Sequence, residues 1–295
     1  MAKTITGVIR LTRYEDYLVQ VIVTTLLGFL ITSAHFSLTN IPRMFWVILA
    51  NLLCVAFTFM INDVEDAQDD ARDTAKAKRN PISAGLLSKN LGYFFTILTA
   101  ALSAIIFYFL GPIPFWLGIT CLLISASYSW RILRLKAIPV IDLLSHGLML
   151  AGLQLLCAYY VINPYTGIHY DLVAPFIFVV AISVRGQLFN QVRDFECDIK
   201  AGIRHTTSII GIKTAHFLMT ALLTLAVIMF LHSLIIKIIP LWIFLIMAIL
   251  GVFFLKKPLI EAKKSRGLAL TYNFQNPVLY IGLISFTIWT ITRFF

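Results

Sequence analysis

Long apolar stretches dominate this sequence and restrict the folds open to it. They run approximately over 17–33, 43–61, 91–111, 112–130, 138–161, 171–191, 214–235, 239–255 and 276–292. A helix needs about 20 apolar residues to cross a bilayer, and inside lipid only helices and closed barrels satisfy their own backbone hydrogen bonds. We therefore predict an all-α, polytopic membrane bundle of about nine transmembrane helices, forming a single domain over 1–295.

The composition agrees with this class and excludes an ordinary soluble domain. Of the 295 residues, 59% are hydrophobic and 13% are charged, and the mean hydropathy is +0.87. Soluble domains have about 25% charged residues. Gly111-Pro112 interrupts the apolar pattern as either a tight turn or a kink, so a span count one lower or one higher stays open.

Basic residues are distributed asymmetrically between the two sides of the predicted bundle. Most of the 24 Lys and Arg lie before the first span and in alternate loops, around 72–89, 131–136, 193–213 and 256–266. Positively charged loops stay on the cytoplasmic side, so we predict that the N-terminus and these loops are cytoplasmic. The net charge of +10 suits contact with membrane lipid on that face, and no nucleic-acid partner is predicted.

Two acidic clusters interrupt the apolar pattern, each where a long apolar run ends. In the first cluster Asp63, Asp66 and Asp70 are spaced i, i+3, i+7, and in the second Asp194 and Asp198 are spaced i, i+4. On a helix, either spacing places the carboxylates of a cluster on one face. Carboxylates this close repel each other unless a cation lies between them, and Mg²⁺ accepts carboxylate, phosphate and water oxygens as ligands. We predict a diphosphate site at which Mg²⁺, expected as two ions, is held by Asp63, Asp66, Asp70, Asp194 and Asp198.

The positions of the two clusters suggest an internal repeat. Each cluster ends an even-numbered span, the second and the sixth, and each is followed by a polar, basic loop that contains glycine. We predict four-helix repeats over approximately 14–135 and 136–256, followed by a last helix over 276–293. Such a repeat would place the clusters face to face across the bundle.

Other polar residues near the clusters are candidates for substrate contacts. Arg134 and Lys136 are predicted to neutralise a diphosphate, and Tyr128 to lie beside a carbocation or prenyl chain, although interfacial anchoring explains the same composition. Arg185 is either a substrate contact or a hydrogen-bonded anchor between helices. Asp142 is predicted to cap its own helix or to pair with Arg131 or Lys136.

These residues resemble the signatures of the UbiA superfamily of intramembrane prenyltransferases. Asn62, Asp63, Asp66 and Asp70 match its N-D-x-x-D-x-x-x-D motif, and Asp194 with Asp198 match its D-x-x-x-D motif. Residues 78–85 and 200–207 resemble the stretches that follow those motifs. Residues 128–136 resemble the Y-S-x-P-P-x-R-L-K segment, with Arg131 and Ile132 in place of the two prolines.

The resemblance implies a central cavity that opens laterally to lipid and is capped by the two aspartate-bearing loops. It also implies Mg²⁺-dependent transfer of a prenyl group from an isoprenyl diphosphate to a lipophilic acceptor. The implied catalytic residues are Asp66, Asp194, Tyr128 and Lys136. The implied substrate-binding residues are Asn62, Arg72, Lys78, Arg79, Arg134, Arg185, Asn190 and Arg193.

The acceptor and two other protein classes stay open from the sequence. An aromatic, quinone-precursor-like acceptor is our first expectation, beside a carotenoid, a tetrapyrrole, a glycerol-phosphate lipid or terpene cyclisation without an acceptor. A CDP-alcohol phosphotransferase would carry a D-G-x-x-A-R string, which does not occur in this sequence. A cation-coupled transporter would place its charges near the bilayer midplane, whereas these clusters lie at span ends.

Overall fold

The computed structural model describes residues 2–32, 36–164, 167, 169–200, 202–264 and 270–295. Within these ranges the chain is helical and contains no β-strand. Its helices are α1 Ala2–Thr12, α2 Leu18–Leu30, α3 Ile41–Asp70, α4 Thr74–Arg79, α5 Lys89–Leu110, α6 Pro112–Ser129, α7 Ile141–Gly147, α8 Leu153–Ile162, α9 Tyr170–Arg193, α10 Phe195–Lys200, α11 Thr206–Ile235, α12 Leu241–Phe254, α13 Lys256–Lys264 and α14 Leu270–Thr292.

Among the described residues, seven helical stretches are long and apolar enough to cross a membrane. They are Leu38–Asp70, Lys89–Leu110, Pro112–Ser129, Ile141–Ile162, Tyr170–Arg193, Thr206–Ile235 and Phe274–Thr292. Two shorter apolar helices are Leu18–Leu30 and Leu241–Phe254. The all-α membrane bundle predicted from the sequence is confirmed, while the count of nine spans stays a prediction.

The fourth of these stretches is built from two helices. The π-helical turn Leu148–Gly152 joins α7 to α8 without interrupting the helix axis. By contrast, α5 and α6 are separated by the single residue Gly111. Its φ of 126° is a conformation that glycine adopts without strain. Gly111-Pro112 is therefore a tight turn rather than a kink.

Helix α3 lies inside the bundle and packs against α2, α5, α6 and α8. Close approach between neighbouring helices depends on small residues, as is usual in membrane bundles. A Cβ added to Gly28 of α2 would lie 2.5 Å from the carbonyl oxygen of Leu155 in α8. A Cβ added to Gly118 of α6 would lie 2.2 Å from the ring of Phe107 in α5.

Buried polar side chains add hydrogen bonds between these helices. Asn51 of α3 donates to Thr25 Oγ1 at 2.9 Å and to the carbonyl oxygen of Gln154 at 3.1 Å. Thr58 of α3 donates to Ser125 Oγ of α6 at 2.8 Å. Because a polar group in lipid needs a protein partner, these bonds favour one arrangement of the helices.

One end of the bundle gathers the helix termini that carry the acidic clusters. Helices α3, α6 and α9 end there, α5 and α11 begin there, and the short helices α4 and α10 lie beside them. We call this end the polar face. Its defining contacts join α3 to the segment after α6, and α4 to α10.

Candidate active site

The first acidic cluster occupies the last turns of α3. Its middle carboxylate faces the segment that follows α6, where Lys136 Nζ lies 2.5 Å from Asp66 Oδ2 and 3.0 Å from Asn62 Oδ1. Ser129 Oγ donates to the same Asn62 oxygen at 3.3 Å. The sequence analysis assigned Asn62, Asp66 and Lys136 to one site. In the structure their side chains are in contact.

Two arginines of the same segment extend this contact. Arg134 Nη2 lies 3.7 Å from Asp66 Oδ1 and 3.4 Å from Asp69 Oδ2, and Arg131 Nη2 lies 3.3 Å from Asp69 Oδ2. Arg134 has a φ of 42° and a ψ of 54°. A left-handed conformation costs a residue other than glycine about 1–3 kcal/mol. In this conformation the guanidinium of Arg134 lies against the cluster.

Arg13 is a site residue that the sequence analysis missed. It follows α1, and its Nη1 lies 3.3 Å from Asp63 Oδ1, while the carboxylate of Asp63 is 1% exposed. The same guanidinium bonds Asp16 at 2.6 Å and covers the ring of Phe59 at 4.6 Å. In the sequence Arg13 served only to predict the membrane orientation. Its position just before the first span, on the same side as the clusters, was the signal that could have identified it.

The segment after α4 folds back onto the first cluster. Asn80 Nδ2 donates to the Asp63 carbonyl oxygen at 2.7 Å and to Asp70 Oδ2 at 2.9 Å. Ser83 Oγ donates to the Ala67 carbonyl oxygen at 2.6 Å. These bonds bring Asp70 into the site together with Asp63, as the helical spacing predicted.

Helix α4 places positive charge between the two clusters. It begins at an N-cap, Asp73, which accepts the N–H groups of Ala75 and Lys76 at 2.8 and 2.9 Å. Arg79 is near enough to Asp63, Asp70 and Asp194 to act on the charge of each. Arg72 and Lys78 lie on the exposed surface of this segment.

The second acidic cluster begins where α9 ends. Asp194 accepts from Arg193 Nε at 2.9 Å and from Arg193 Nη2 at 2.8 Å. Asp198 Oδ2 lies 3.3 Å from His205 Nε2, and Asp198 Oδ1 lies 3.9 Å from Lys76 Nζ of α4. The contact with Lys76 joins the second cluster to the segment that follows the first.

The carboxyl of Asp194 is held in its charged form. Partial burial raises its pKa, but the hydrogen bonds from Arg193 and the positive charges of Arg193, Lys76 and Arg79 outweigh burial and lower the pKa below its ordinary value. At neutral pH the group is therefore an anionic oxygen donor.

The remaining predicted contacts lie on α6 and α9. Tyr128 is 8% exposed, and its phenolic oxygen accepts a hydrogen bond from Gln187 Nε2 at 2.9 Å. Arg185 and Asn190 are partly buried on the same helix as Gln187. The sequence offered no reason to pair Tyr128 with Gln187, because these residues lie in different spans.

The predicted ionic partners of Asp142 were wrong. Asp142 does accept the Leu143 N–H at 2.9 Å, near the start of its own helix. Its other bonds go to Gln191 of α9 and Thr206 of α11. The predicted partners, Arg131 and Lys136, instead pair with the first cluster, because the loop that carries them folds towards α3.

The donor atoms at the polar face suit a hard divalent cation. Asp63 Oδ2 and Asp66 Oδ1 are buried and make no hydrogen bond. Within the described part of the chain, no group of three or more His, Cys, Asp or Glu side chains has an arrangement that could hold a metal ion as it stands. Four of the carboxylates bind arginine, lysine or histidine instead, and Asp70 binds Asn80, so the set of five aspartate ligands stays a prediction.

Apolar helices with aspartates and basic side chains concentrated at one end define a polytopic integral membrane protein. The chain matches the UbiA prenyltransferase family over residues 21–290 and belongs to that family. It is therefore a prenyltransferase, as its two aspartate motifs predicted. No curated protein matches the chain at a significant level.

Solved structures share the fold at low sequence identity. A UbiA homologue from Archaeoglobus fulgidus aligns with a TM-score of 0.71 and 20% identity, covering 97% of this chain and 98% of that chain. A UbiA homologue from Aeropyrum pernix K1 aligns with a TM-score of 0.73 and 15% identity, covering 93% of this chain and 96% of that chain. The Archaeoglobus protein has also been solved bound to GPP and Mg²⁺, in a structure that aligns with a TM-score of 0.69 and 20% identity, covering 97% of this chain and 98% of that chain.

Proposed function

We propose that the protein transfers a prenyl group from an isoprenyl diphosphate to a lipophilic acceptor within the membrane, in a Mg²⁺-dependent reaction. The observation that carries this proposal is that Arg79 acts on the charge of Asp63, Asp70 and Asp194 alike, which supports a site shared by the two acidic clusters. The Archaeoglobus homologue bound to GPP and Mg²⁺ supports the same class of donor and metal.

The carboxylates of the two clusters are the proposed metal ligands, with two ions expected. They are Asp63, Asp66, Asp70, Asp194 and Asp198. When bound, Mg²⁺ supplies positive charge that offsets the charge of the diphosphate as it leaves. The buried Oδ2 of Asp63, which accepts no hydrogen bond from the described residues, supports this role, because a buried carboxylate oxygen without a donor otherwise costs free energy.

The basic side chains at the polar face are the proposed diphosphate ligands. Lys136, Arg134 and Arg193 now bind carboxylates of the clusters, and each has further N–H donors that suit phosphate oxygens. Preorganised donors stabilise charge that develops on a leaving group without reorganising during the reaction. We assign the same role to Arg13, Arg72, Lys78 and Arg79. We propose that Asn62 orients Lys136.

Tyr128 is proposed to face the prenyl group as its bond to oxygen breaks. An aromatic ring attracts a neighbouring cation, and the bond from Gln187 holds the phenol in one orientation. We place Arg185 and Asn190 on the same substrate path. The apolar surroundings in the membrane keep water from the allylic cation.

We propose an aromatic, quinone-precursor-like acceptor. The bond between prenyl C1 and the diphosphate oxygen breaks, and the electron pair leaves with diphosphate. The electron-rich ring then forms a bond to C1 and releases a ring proton to water or to the departing diphosphate. Because the ring supplies the electron pair, no covalent bond to the protein is needed.

The polar face is proposed to be cytoplasmic. Its support is the gathering of basic loops and the N-terminal segment at one end, where Arg10 Nη2 reaches the Lys78 carbonyl oxygen at 3.5 Å and Arg13 reaches Asp63. In a variant whose four native cysteines are replaced by serine, Thr74→Cys should react with an impermeant maleimide in inside-out vesicles only. Labelling confined to right-side-out vesicles would reverse the orientation.

The proposed reaction is tested with purified protein and three donors: geranyl, farnesyl and geranylgeranyl diphosphate. Diphosphate release is measured with Mg²⁺ or excess chelator, with and without a panel of aromatic, carotenoid, tetrapyrrole and glycerol-phosphate lipid acceptors. We expect Mg²⁺-dependent release that requires an aromatic acceptor. Release with another acceptor would replace the acceptor class, and release without any acceptor would indicate cyclisation or hydrolysis. Folded protein that releases nothing would contradict the proposal.

A further inference from the structure

A buried polar network lies behind the second acidic cluster and has no role in the proposed reaction. At its centre is Asp142, which is 0% exposed. Asp142 Oδ2 accepts from Gln191 Nε2 at 2.6 Å and from the Thr206 N–H at 2.8 Å, and Asp142 Oδ1 accepts from the Thr206 hydroxyl. Gln191 Oε1 accepts from the Thr207 N–H at 3.1 Å and from its hydroxyl at 2.9 Å. The network therefore joins α7, α9 and α11.

A carboxylate is well suited to this position. The first N–H groups of a helical segment have no partner within it, and the segment that begins at Thr206 is short, because the backbone at Gly211 has a non-helical φ of 78° and ψ of 159°. Asp142 accepts one of those N–H groups at the start of α11, although it belongs to α7. An apolar residue here would leave buried donors of Thr206 and Gln191 unsatisfied, which is costly inside a membrane protein.

On one side, the network restrains the segment that contacts the first cluster. Thr206 Oγ1 accepts the N–H of Val140 at 2.7 Å while its own proton goes to Asp142. Val140 has a φ of 69° and a ψ of −46°, a strained conformation for a β-branched residue that persists only where its surroundings enforce it. Four residues earlier, Lys136 binds Asp66.

On the other side, the network restrains the second cluster. His205, directly before Thr206, is 2% exposed, and its Nδ1 accepts the N–H of Ser208 at 3.1 Å. That bond leaves the ring proton on Nε2, which faces Asp198 Oδ2 at 3.3 Å. Fixing Thr206 therefore also fixes the ring that lies against Asp198.

We infer that Asp142 is a positioning residue which, through Thr206, sets the separation of the two acidic clusters and so the affinity of the site for a divalent cation with diphosphate. The inference rests on the proposed function for what the site binds. It assigns Asp142 no contact with substrate: its effect passes through Val140 and Lys136 on one side and through His205 on the other.

The test is the dissociation constant for Mn²⁺ with geranyl S-thiolodiphosphate, a poorly cleaved donor analogue, measured by electron paramagnetic resonance on the full chain in nanodiscs. Asp142→Asn replaces an acceptor by a donor at unchanged shape and should weaken binding by about 10–100-fold. Thr206→Val keeps its N–H but loses both hydroxyl bonds, and should weaken binding less. Thr206→Ser, which keeps the hydroxyl, should restore wild-type affinity.

The matched control is Asn51→Ala, which removes the buried hydrogen bonds that join α3 to α2 and α8, twelve residues before Asp63 in α3. It should lower the melting temperature without changing the dissociation constant. Lower melting temperatures for Asp142→Asn and Thr206→Val with wild-type affinity would overturn the inference, because the network would then only stabilise the bundle. If Asp142→Asn does not fold, Thr206→Val decides. A folded wild type that fails to bind the probe would overturn the proposed function and the inference together.

Discussion

The two acidic clusters are similar in sequence but are supported differently in the structure. The first lies within the unbroken helix α3, and its carboxylates are met by side chains distant in the chain, such as Arg13 and Lys136. The second begins at Asp194, where α9 ends with a φ of −93° and a ψ of 4°, and its nearest cation is the adjacent Arg193. The first cluster is therefore positioned by helix packing, and the second by the loop and network around it.

The largest effect should come from removing one carboxylate of either cluster. We expect Asp66→Ala and Asp194→Ala each to lower diphosphate release by at least about 10³-fold, as chelation of Mg²⁺ should, because both clusters must contribute charge to one site. Circular dichroism should show wild-type helix content for both variants. Glu196→Gln removes an exposed charge beside the second cluster and should stay near wild type. Wild-type turnover by either alanine variant would break the shared-site model.

The two lysines that bind the clusters should differ in how much their removal lowers kcat. Lys136→Met should lower kcat by about 10²-fold, because the side chain is 12% exposed and lies 2.5 Å from Asp66. Lys76→Met should cost only about threefold, because that side chain is 37% exposed and lies 3.9 Å from Asp198. Steady-state kinetics on both variants decides. Equal losses would contradict the expectation that the shorter, more buried lysine contact has the larger effect on kcat.

Arg13 offers a test of the first cluster alone. Arg13→Gln removes the guanidinium that bonds the buried carboxylate of Asp63, which keeps only the charge of Arg79, and should raise the KM for the donor by about tenfold, with a smaller change in kcat. Arg10→Gln changes a neighbouring exposed charge and serves as the control. An unchanged KM for Arg13→Gln would show that the ion pair serves packing only.

The smallest effect is expected at the aromatic contact between the two halves. Tyr128→Phe keeps the ring and loses the acceptor of the Gln187 bond, so kcat should fall by about threefold to tenfold. Gln187→Met removes the donor and should match it if orientation of the phenol is what counts. If Gln187→Met has wild-type kcat while Tyr128→Phe has a lower kcat, the effect comes from the hydroxyl itself.

Local patterns in the sequence predicted much of the bundle and several site neighbours. Apolar runs marked the helices because each must present enough apolar surface to lipid. The spacing of Asp63, Asp66 and Asp70 marked one helix face, and α3 continues through all three. The basic segment after α6 was proposed as part of the site because it lies on the same side of the membrane as the acidic clusters. Lys136 and Arg134 of that segment do reach the first cluster.

The sequence by itself determined the class of protein, the helical stretches and the motifs that identify the family, because these depend on composition and local periodicity. Only the tertiary structure decided that Arg13 meets Asp63, that Lys76 meets Asp198 and that Thr206 meets Asp142. The physical reason is that any cation or donor on the polar face is chemically able to pair with any of its carboxylates. The choice among them follows from which helices pack side by side, and that packing depends on shape and close contact across distant parts of the chain.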